Sequence, residues 1–373
     1  MLEDDFRKRI LDTCFKLVGG RRNLSKILGA SYTAVSEWYH GKKKRTKRKI
    51  TRHFCPLWVI EKINRILTKN KLENIANDIQ NNITEYRSHS GRSVVNPNLP
   101  IPGKPELLNL LAHILGDGCA VRGSMPYYSN TCEELRNEFM NNLKIFGEVE
   151  CYESFHQNKT PRVMFPTVIV HVLESAFPID LTKKQILNSS FLFNLPERML
   201  MSFLRGIFDD DGYVHDSNIQ ICSLNRSFLD ILKTLLAIRL KIETSALFKY
   251  TPYVRRDGSI SEVSFFDVYS SGVSTFSKCI GFTHPKKQRL LEYLVKRQKR
   301  GWKFPNPHTI RKLIIEALEE THQLTARELS IKTLLTARNT RKSYLYPMEN
   351  EGILQRVGKK KGKGGPVLWS LKK

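Results

Sequence analysis

The sequence contains no CxxC pair, and its seven cysteines (Cys14, Cys55, Cys119, Cys132, Cys151, Cys222 and Cys279) are scattered over 373 residues. That odd, dispersed set argues against a disulfide framework and against a cysteine-type zinc site, and it fits a reducing compartment. No apolar run approaches the ~20 residues needed to span a bilayer. The N-terminus, Met1-Leu2-Glu3-Asp4-Asp5, is acidic and lacks the apolar stretch of a signal peptide. These absences predict an intracellular protein of the cytoplasm, with no membrane partner. Acid is also scarce: 36 Asp and Glu stand against 61 Lys and Arg, a net charge of +25. A polyphosphate partner such as DNA offsets that self-repulsion and a small neutral substrate does not. RNA carries the same charge and stays open. Hydrophobic residues at 40% can fill cores, and the length implies more than one domain.

Proline and glycine are clustered. Pro97, Pro100, Pro102 and Pro105, with Gly91 and Gly103, mark residues 91–105 as a linker. Residues 1–90 before it read as mostly helical, with apolar stripes at Phe6, Ile10, Leu11 and Phe15 and at Ile60, Ile63 and Leu67. The run Phe304-Pro305-Asn306-Pro307 opens a last block, 306–373.

The segment between them repeats itself. Glu106–Leu115 is an apolar helix ending at Gly116-Asp117-Gly118, and Pro196–Phe208 is a second, ending at Asp209-Asp210-Asp211-Gly212. Each is followed by a candidate strand (119–128; 213–223), a helix (132–146; 226–240) and two strand-like runs (149–155 with 162–165; 243–250 with 263–269). Each half closes with a short helix and a basic tripeptide, Lys183-Lys184-Gln185 or Lys286-Lys287-Gln288. The units run 106–195 and 196–303, each in the order αββαββα, which makes the centre an α+β duplication with an internal pseudo-twofold.

An aspartate at a helix C-terminus faces a macrodipole that is already negative there. Two such ends brought to ~4 Å, at an effective dielectric of ~20, repel by about 4 kcal/mol. A divalent cation removes that penalty, and hard oxygen ligands suit Mg²⁺. Ala112, Gly116 and Gly206 are small enough to let the two helix backbones approach.

These residues carry a resemblance. LLAHILGDG (Leu110–Gly118) and LRGIFDDDG (Leu204–Gly212) resemble the two signature motifs of the LAGLIDADG (dodecapeptide) homing endonucleases, over residues 106–301. The resemblance implies a duplicated homing endonuclease fold with the motif helices at the interface and sheets straddling the DNA major groove. It implies a monomer that hydrolyses both DNA strands with Mg²⁺, Mn²⁺ being a possible substitute. Asp117 and Asp211 are then the metal-binding catalytic residues, with Gly116 and Asp210 as further candidate ligands. Lys184 and Lys287 are the candidate basic residues, and Lys183 and Lys286 are close alternatives. Ala112 stands where the family has its first motif glycine. Asp210 stands where the family prefers Gly or Ala, so either it adds a ligand or, as preferred, Asp209 and Asp210 point to solvent. His113 reads as a packed interface histidine. An intein needs a nucleophile at its first residue and a terminal His-Asn pair; Met1-Leu2 and Leu371-Lys372-Lys373 are neither, and the chain is expected to be free-standing.

Both flanks look like DNA-binding modules. Residues 23–39 resemble a phage-repressor helix-turn-helix, with Asn23 and Ser31 as caps, Gly29 as the turn, and Leu24, Ile27, Leu28, Val35 and Trp38 between the helices. That leaves Tyr32, Thr33, Ser36 and Glu37 for a major groove. The run Lys42, Lys43, Lys44 and Arg45, continuing to Lys49, suits phosphates or a solvated segment. The last block resembles a winged helix, with Arg338 and Arg341 on its third helix and Lys360 and Lys361 at a glycine-lysine hairpin tip; a basic cap on the central domain is the alternative. Two rival functions stay open: a regulator of the same fold that binds without cutting, and an RNA maturase.

Overall fold

The computed structural model of the chain describes residues 2–372 except 42, 47–48, 53–54, 89–91, 122, 156–159, 255–257, 259, 301–305 and 360–364; of residues 43–46, 49–52 and 253 it describes the backbone alone. The chain divides into two units, Met1–Leu107 with Gly118–Ser129 and Arg136–Phe177, and Leu108–Asp117 with Asn130–Leu135 and Pro178–Lys373.

The first unit begins with helices Asp4–Val18, Arg21–Leu28, Tyr32–His40, Leu57–Lys69 and Glu73–Asn81, whose apolar stripes meet in one core that includes Phe6, Ile10, Leu24, Leu28, Val35, Trp38, Ile63 and Leu67. Gly29 at φ 69° ends one helix, and the Ser31 hydroxyl accepts from the Ala34 amide at 3.0 Å to start the next, as the sequence predicts. Two expectations there fail. The helix starts at Arg21, so Asn23 lies inside it and donates back to the carbonyls of Val18 and Gly19. Ile27 is 51% exposed because it falls off the stripe set by Leu24 and Leu28. The cationic run forms an antiparallel pair, Lys43–Thr46 with Lys49–Arg52.

Residues 91–105 are more than a linker. Ser93–Val95 pairs with Glu85–Arg87 on one side and with Glu148–Val149 on the other, and Val94 is fully buried. The proline cluster begins only after this strand. The repeat-1 sheet runs in the spatial order Gly118–Cys119, Tyr127–Ser129, Pro161–Met164, Tyr152–Phe155, all antiparallel. Tyr128 stacks on Phe139 with ring centroids 4.6 Å apart, closing its buried face.

In the second unit, strands Gly212–Val214, Ile219–Ser223, Ser264–Val268 and Phe248–Lys249 form a sheet of the same order: first, second, last, third. Alternation puts Val214, Ile219, Ile221, Phe266 and Val268 on the buried face, against helix Arg226–Leu240. The single strand expected after each motif glycine is therefore a hairpin in both repeats. Residues 216–218, Asp-Ser-Asn, supply turn chemistry that splits the second of them.

The two motif helices, Pro105–Leu115 and Glu197–Asp211, meet along small residues. A Cβ at Gly206 would lie 2.8 Å from that of Ala112, and one at Gly116 would lie 2.6 Å from the Asp210 carboxylate. Asn109 donates to the Ser202 carbonyl at 3.4 Å. Residues 202, 206 and 210 recur every four positions, one face of a helix.

The last block folds as helices Pro307–Thr321 and Ala326–Thr333, then Ala337–Thr340 running through a π turn (Arg341–Leu345) into Tyr346–Asn350. A three-stranded sheet follows the order Leu324–Thr325, Val367–Leu371, Leu354–Lys359. Thr325 and Glu328 form a reciprocal capping box at the second helix. Ile310, Ile314, Leu329, Leu345, Met348 and Trp369 fill its core.

Candidate active site

The close seam brings the C-terminal ends of both motif helices together, and their last carboxylates with them. Burial comes first in raising the Asp117 carboxyl to about 6, and the neighbouring Asp210 adds to it. Asp211 is pushed up to about 7, again by burial first and then by Asp117 and Asp210. Asn130 fixes Asp117, donating its amide to Asp117 Oδ2 at 2.9 Å.

Each helix end is answered by one lysine. Lys184 Nζ donates to the Gly116 carbonyl. Lys287 Nζ donates to the carbonyls of Phe208 (3.2 Å), Asp209 and Asp210 (3.4 Å). Ammonium groups at helix C-termini satisfy orphan carbonyls and offset the macrodipole. Burial holds Lys287 below the usual lysine range, against the pull of the aspartates around it. Lys183 instead is exposed and pairs with Asp180 at 3.3 Å, and Lys286 is also exposed. The two tripeptides match in sequence but differ in backbone. Lys184 lies in the turn between Ile179–Asp180 and Gln185–Ile186, at φ 52°, and Asn225 donates to its carbonyl at 3.2 Å. Lys287 sits in the first turn of helix Pro285–Arg300.

The other two acids do not face solvent. The Asp210 side chain is 0% exposed; its Oδ2 accepts from the Asp117 amide at 3.2 Å and lies 3.1 Å from His113 Nδ1, and Asn130 reaches its Oδ1 at 3.4 Å. Its place in the seam, opposite Gly116, encloses it. Asp209 is 1% exposed and accepts from the amides of Thr283 and His284, both at 3.0 Å. A carboxylate that opposes its own helix dipole here lies at the favourable N-terminal end of helix Pro285–Arg300. Gly116 offers a carbonyl that Lys184 already engages.

Asp117, Asp211, Gly116, Asp210, Lys184 and Lys287 thus form one cluster. The flanking candidates lie elsewhere. Tyr32 and Thr33 are exposed in the first unit, and Ser36 accepts from Arg21 at 3.3 Å. Arg338 and Arg341 are exposed on the last block. Lys42, Lys360 and Lys361 lie outside the described residues, as do the side chains of Lys43, Lys44 and Arg45.

Among the described residues no group of three His, Cys, Asp or Glu side chains is placed to hold a metal. The donor chemistry of the pair Asp117 and Asp211 nevertheless suits a hard dication: two carboxyls whose charge the fold disfavours, with carbonyl oxygens beside them. No helix among the described residues is long and apolar enough to cross a membrane.

Residues 198–256, spanning the second motif helix and the sheet after it, match the family model described as LAGLIDADG-like domain. That stretch of the chain is similar to the LAGLIDADG family. Solved structures similar to this chain include I-DmoI in complex with DNA and Mn, at 13% identity and a TM-score of 0.32 over 47% of this chain and 96% of that one. Full-length DUF199/WhiA from Thermotoga maritima is similar at 15% identity and a TM-score of 0.38, over 68% and 93%. Among curated proteins, elongation factor 2 of Methanopyrus kandleri is 29% identical over 217 residues, 57% of this chain and 15% of that protein. A probable translation initiation factor IF-2 of Methanocaldococcus jannaschii is 25% identical over 213 residues, 54% and 17%. The chain therefore spans only about a sixth of these relatives.

Asn130 and Asn225 stand outside the motifs that the sequence marks. Each directly precedes the helix after its motif, or nearly so, and the cap-forming residue type was a readable signal. Nothing local marks Asp209 as a partner of residues 283–284.

Proposed function

We propose that the chain is a site-specific double-strand DNA endonuclease that hydrolyses phosphodiesters with Mg²⁺. One observation carries the reading: two aspartates at the joined C-terminal ends of the motif helices, both with raised pKa, each end braced by a half-buried lysine. Asp117 and Asp211 would hold the metal, and a bound dication supplies an activated water and a counter-charge for the leaving oxygen. The protein's own part is positional. Asn130 aims Asp117, the Gly206–Ala112 contact sets the approach of the two ends, and Lys184 and Lys287 neutralise helix-end carbonyls so that a phosphate can come near. The net charge of +25 supports duplex DNA as the substrate, and Mn²⁺ is a chemically equivalent substitute.

Asp117→Asn and Asp211→Asn decide it. A randomised duplex library incubated with Mg²⁺ and sequenced at cut ends finds the site. On that site each variant loses about a thousandfold or more in cutting, while binding in Ca²⁺ stays within a few-fold. Undiminished cutting by either variant removes that residue from the mechanism. A native chain that binds duplex and never cuts leaves the regulator reading in its place, and preferential capture of structured RNA over duplex leaves the maturase.

A further inference from the structure

The last block is bonded to the two elements that carry the second half of the site. Arg327 donates Nη1 to the Tyr213 hydroxyl and Nη2 to the Val214 carbonyl, both at 2.6 Å. Those residues follow directly from Asp211, in strand Gly212–Val214. Asp216, past the end of the same strand, accepts from the Ala337 amide at 2.9 Å, at the start of helix Ala337–Thr340. From the other element, helix Pro285–Arg300 carries Lys287 in its first turn, and further along it Tyr293, 3% exposed, donates its hydroxyl to the Leu335 carbonyl. Arg300 reaches the Thr333 carbonyl at 3.3 Å. A module that merely trails the chain on a tether needs none of these bonds. Anchors on both a strand and a helix, one of them a buried tyrosine, set its rotation as well as its position.

The segment anchored at Ala337 is also the one that presents charge. Arg338, Asn339, Arg341, Lys342 and Ser343 are all exposed on it. Three cations with two neutral hydrogen-bonding side chains are the mixture that phosphate contact and base-edge contact require.

We propose that this face reads duplex DNA flanking the core of the target in one fixed phase, so that the target is asymmetric and extends on the side of the second repeat. The proposal rests on the DNA reading above, though not on cleavage.

The test uses the full chain in Ca²⁺ and duplexes recovered from a randomised library by binding. Protection is mapped, and one, two or five base pairs are then inserted between the protected core and the flank. Each inserted pair turns the flank by about 35° and shifts it by about 3.4 Å. The native chain is expected to lose flank protection at two and five pairs, its affinity dropping about tenfold to that for a duplex trimmed to the core. Arg327→Ala with Tyr293→Phe should bind the trimmed duplex as the native chain does and stop distinguishing the spacings; should that variant misfold, the native insertion series still decides. Protection that follows the flank through every insertion, or no flank protection at all, overturns the proposal. Cutting in Mg²⁺ is scored apart: a spacing-locked flank without cutting removes the nuclease reading and leaves this one. Recovery of no duplex removes both.

Discussion

The two motif helix ends agree where chemistry needs them to and differ almost everywhere else. Asp117 and Asp211 correspond, and both are lifted by burial and by nearby carboxylates. One step back, Gly116 faces Asp210; two steps back, the buried apolar Leu115 corresponds to Asp209. The second end therefore holds two more acids than the first, and both are engaged inside the protein. The braces differ too: one lysine sits in a left-handed turn held by Asn225, the other in a helix. Divergence was tolerated at each position where the new polar group found partners, which is the condition buried polar atoms impose.

Making the ends alike tests how deep that difference goes. Asp210→Gly copies the first end onto the second and carries the largest expected effect. The Asp117 amide, His113 and Asn130 lose an acceptor in a fully enclosed seam, a loss of about 2–4 kcal/mol in stability after relief of repulsion among the acids. Scanning calorimetry reads it; an unchanged melting temperature would mean that those hydrogen bonds contribute nothing net. Asp209→Leu copies the other difference and is smaller. It strands the amides of Thr283 and His284 at the start of the helix bearing Lys287, costing about 1–3 kcal/mol. Cutting should slow more than binding weakens, because the loosened element is the one that carries the brace. Equal losses in both would assign Asp209 a purely structural part.

The contrast also explains what the sequence could tell. The duplicated αββαββα order is legible because each half repeats an acid-tipped apolar helix, with Asp117 and Asp211 94 positions apart. Close approach of the helices follows from Ala112, Gly116 and Gly206, where small residues leave no other reading. Asp209 and Asp210 are not legible because their partners are remote: residues 283 and 284 for one, 113 and 130 for the other. A helix read alone assigns such acids to solvent. Choosing Lys184 over Lys183 likewise depends on a backbone at φ 52° that nothing in the tripeptide announces. The strand at 93–95 is three residues long, and the prolines after it mask its pattern.

The smallest difference between the ends is in protons. In the folded chain burial and the neighbouring acids push the Asp117 carboxyl up to about 6 and the Asp211 carboxyl up to about 7, against about 3.9 for an unfolded aspartate. A raised carboxyl pKa means that the fold favours the protonated form. Its contribution is complete below about pH 4 and is lost as pH rises through 6 and then 7. Metal-free protein should therefore melt at falling temperature from pH 5 to pH 8, with the Asp211 step above the Asp117 step. Asp211→Asn should erase the upper step and move the lower one down, since each acid raises the other; Asp117→Asn should lower the upper step. Mg²⁺ competes with those protons, so it should flatten the profile and bind more tightly as pH rises. A metal-free melting temperature that climbs over this range would mean the two carboxyls are not held together against their charge, and the likeness of the two ends would then lie in sequence alone.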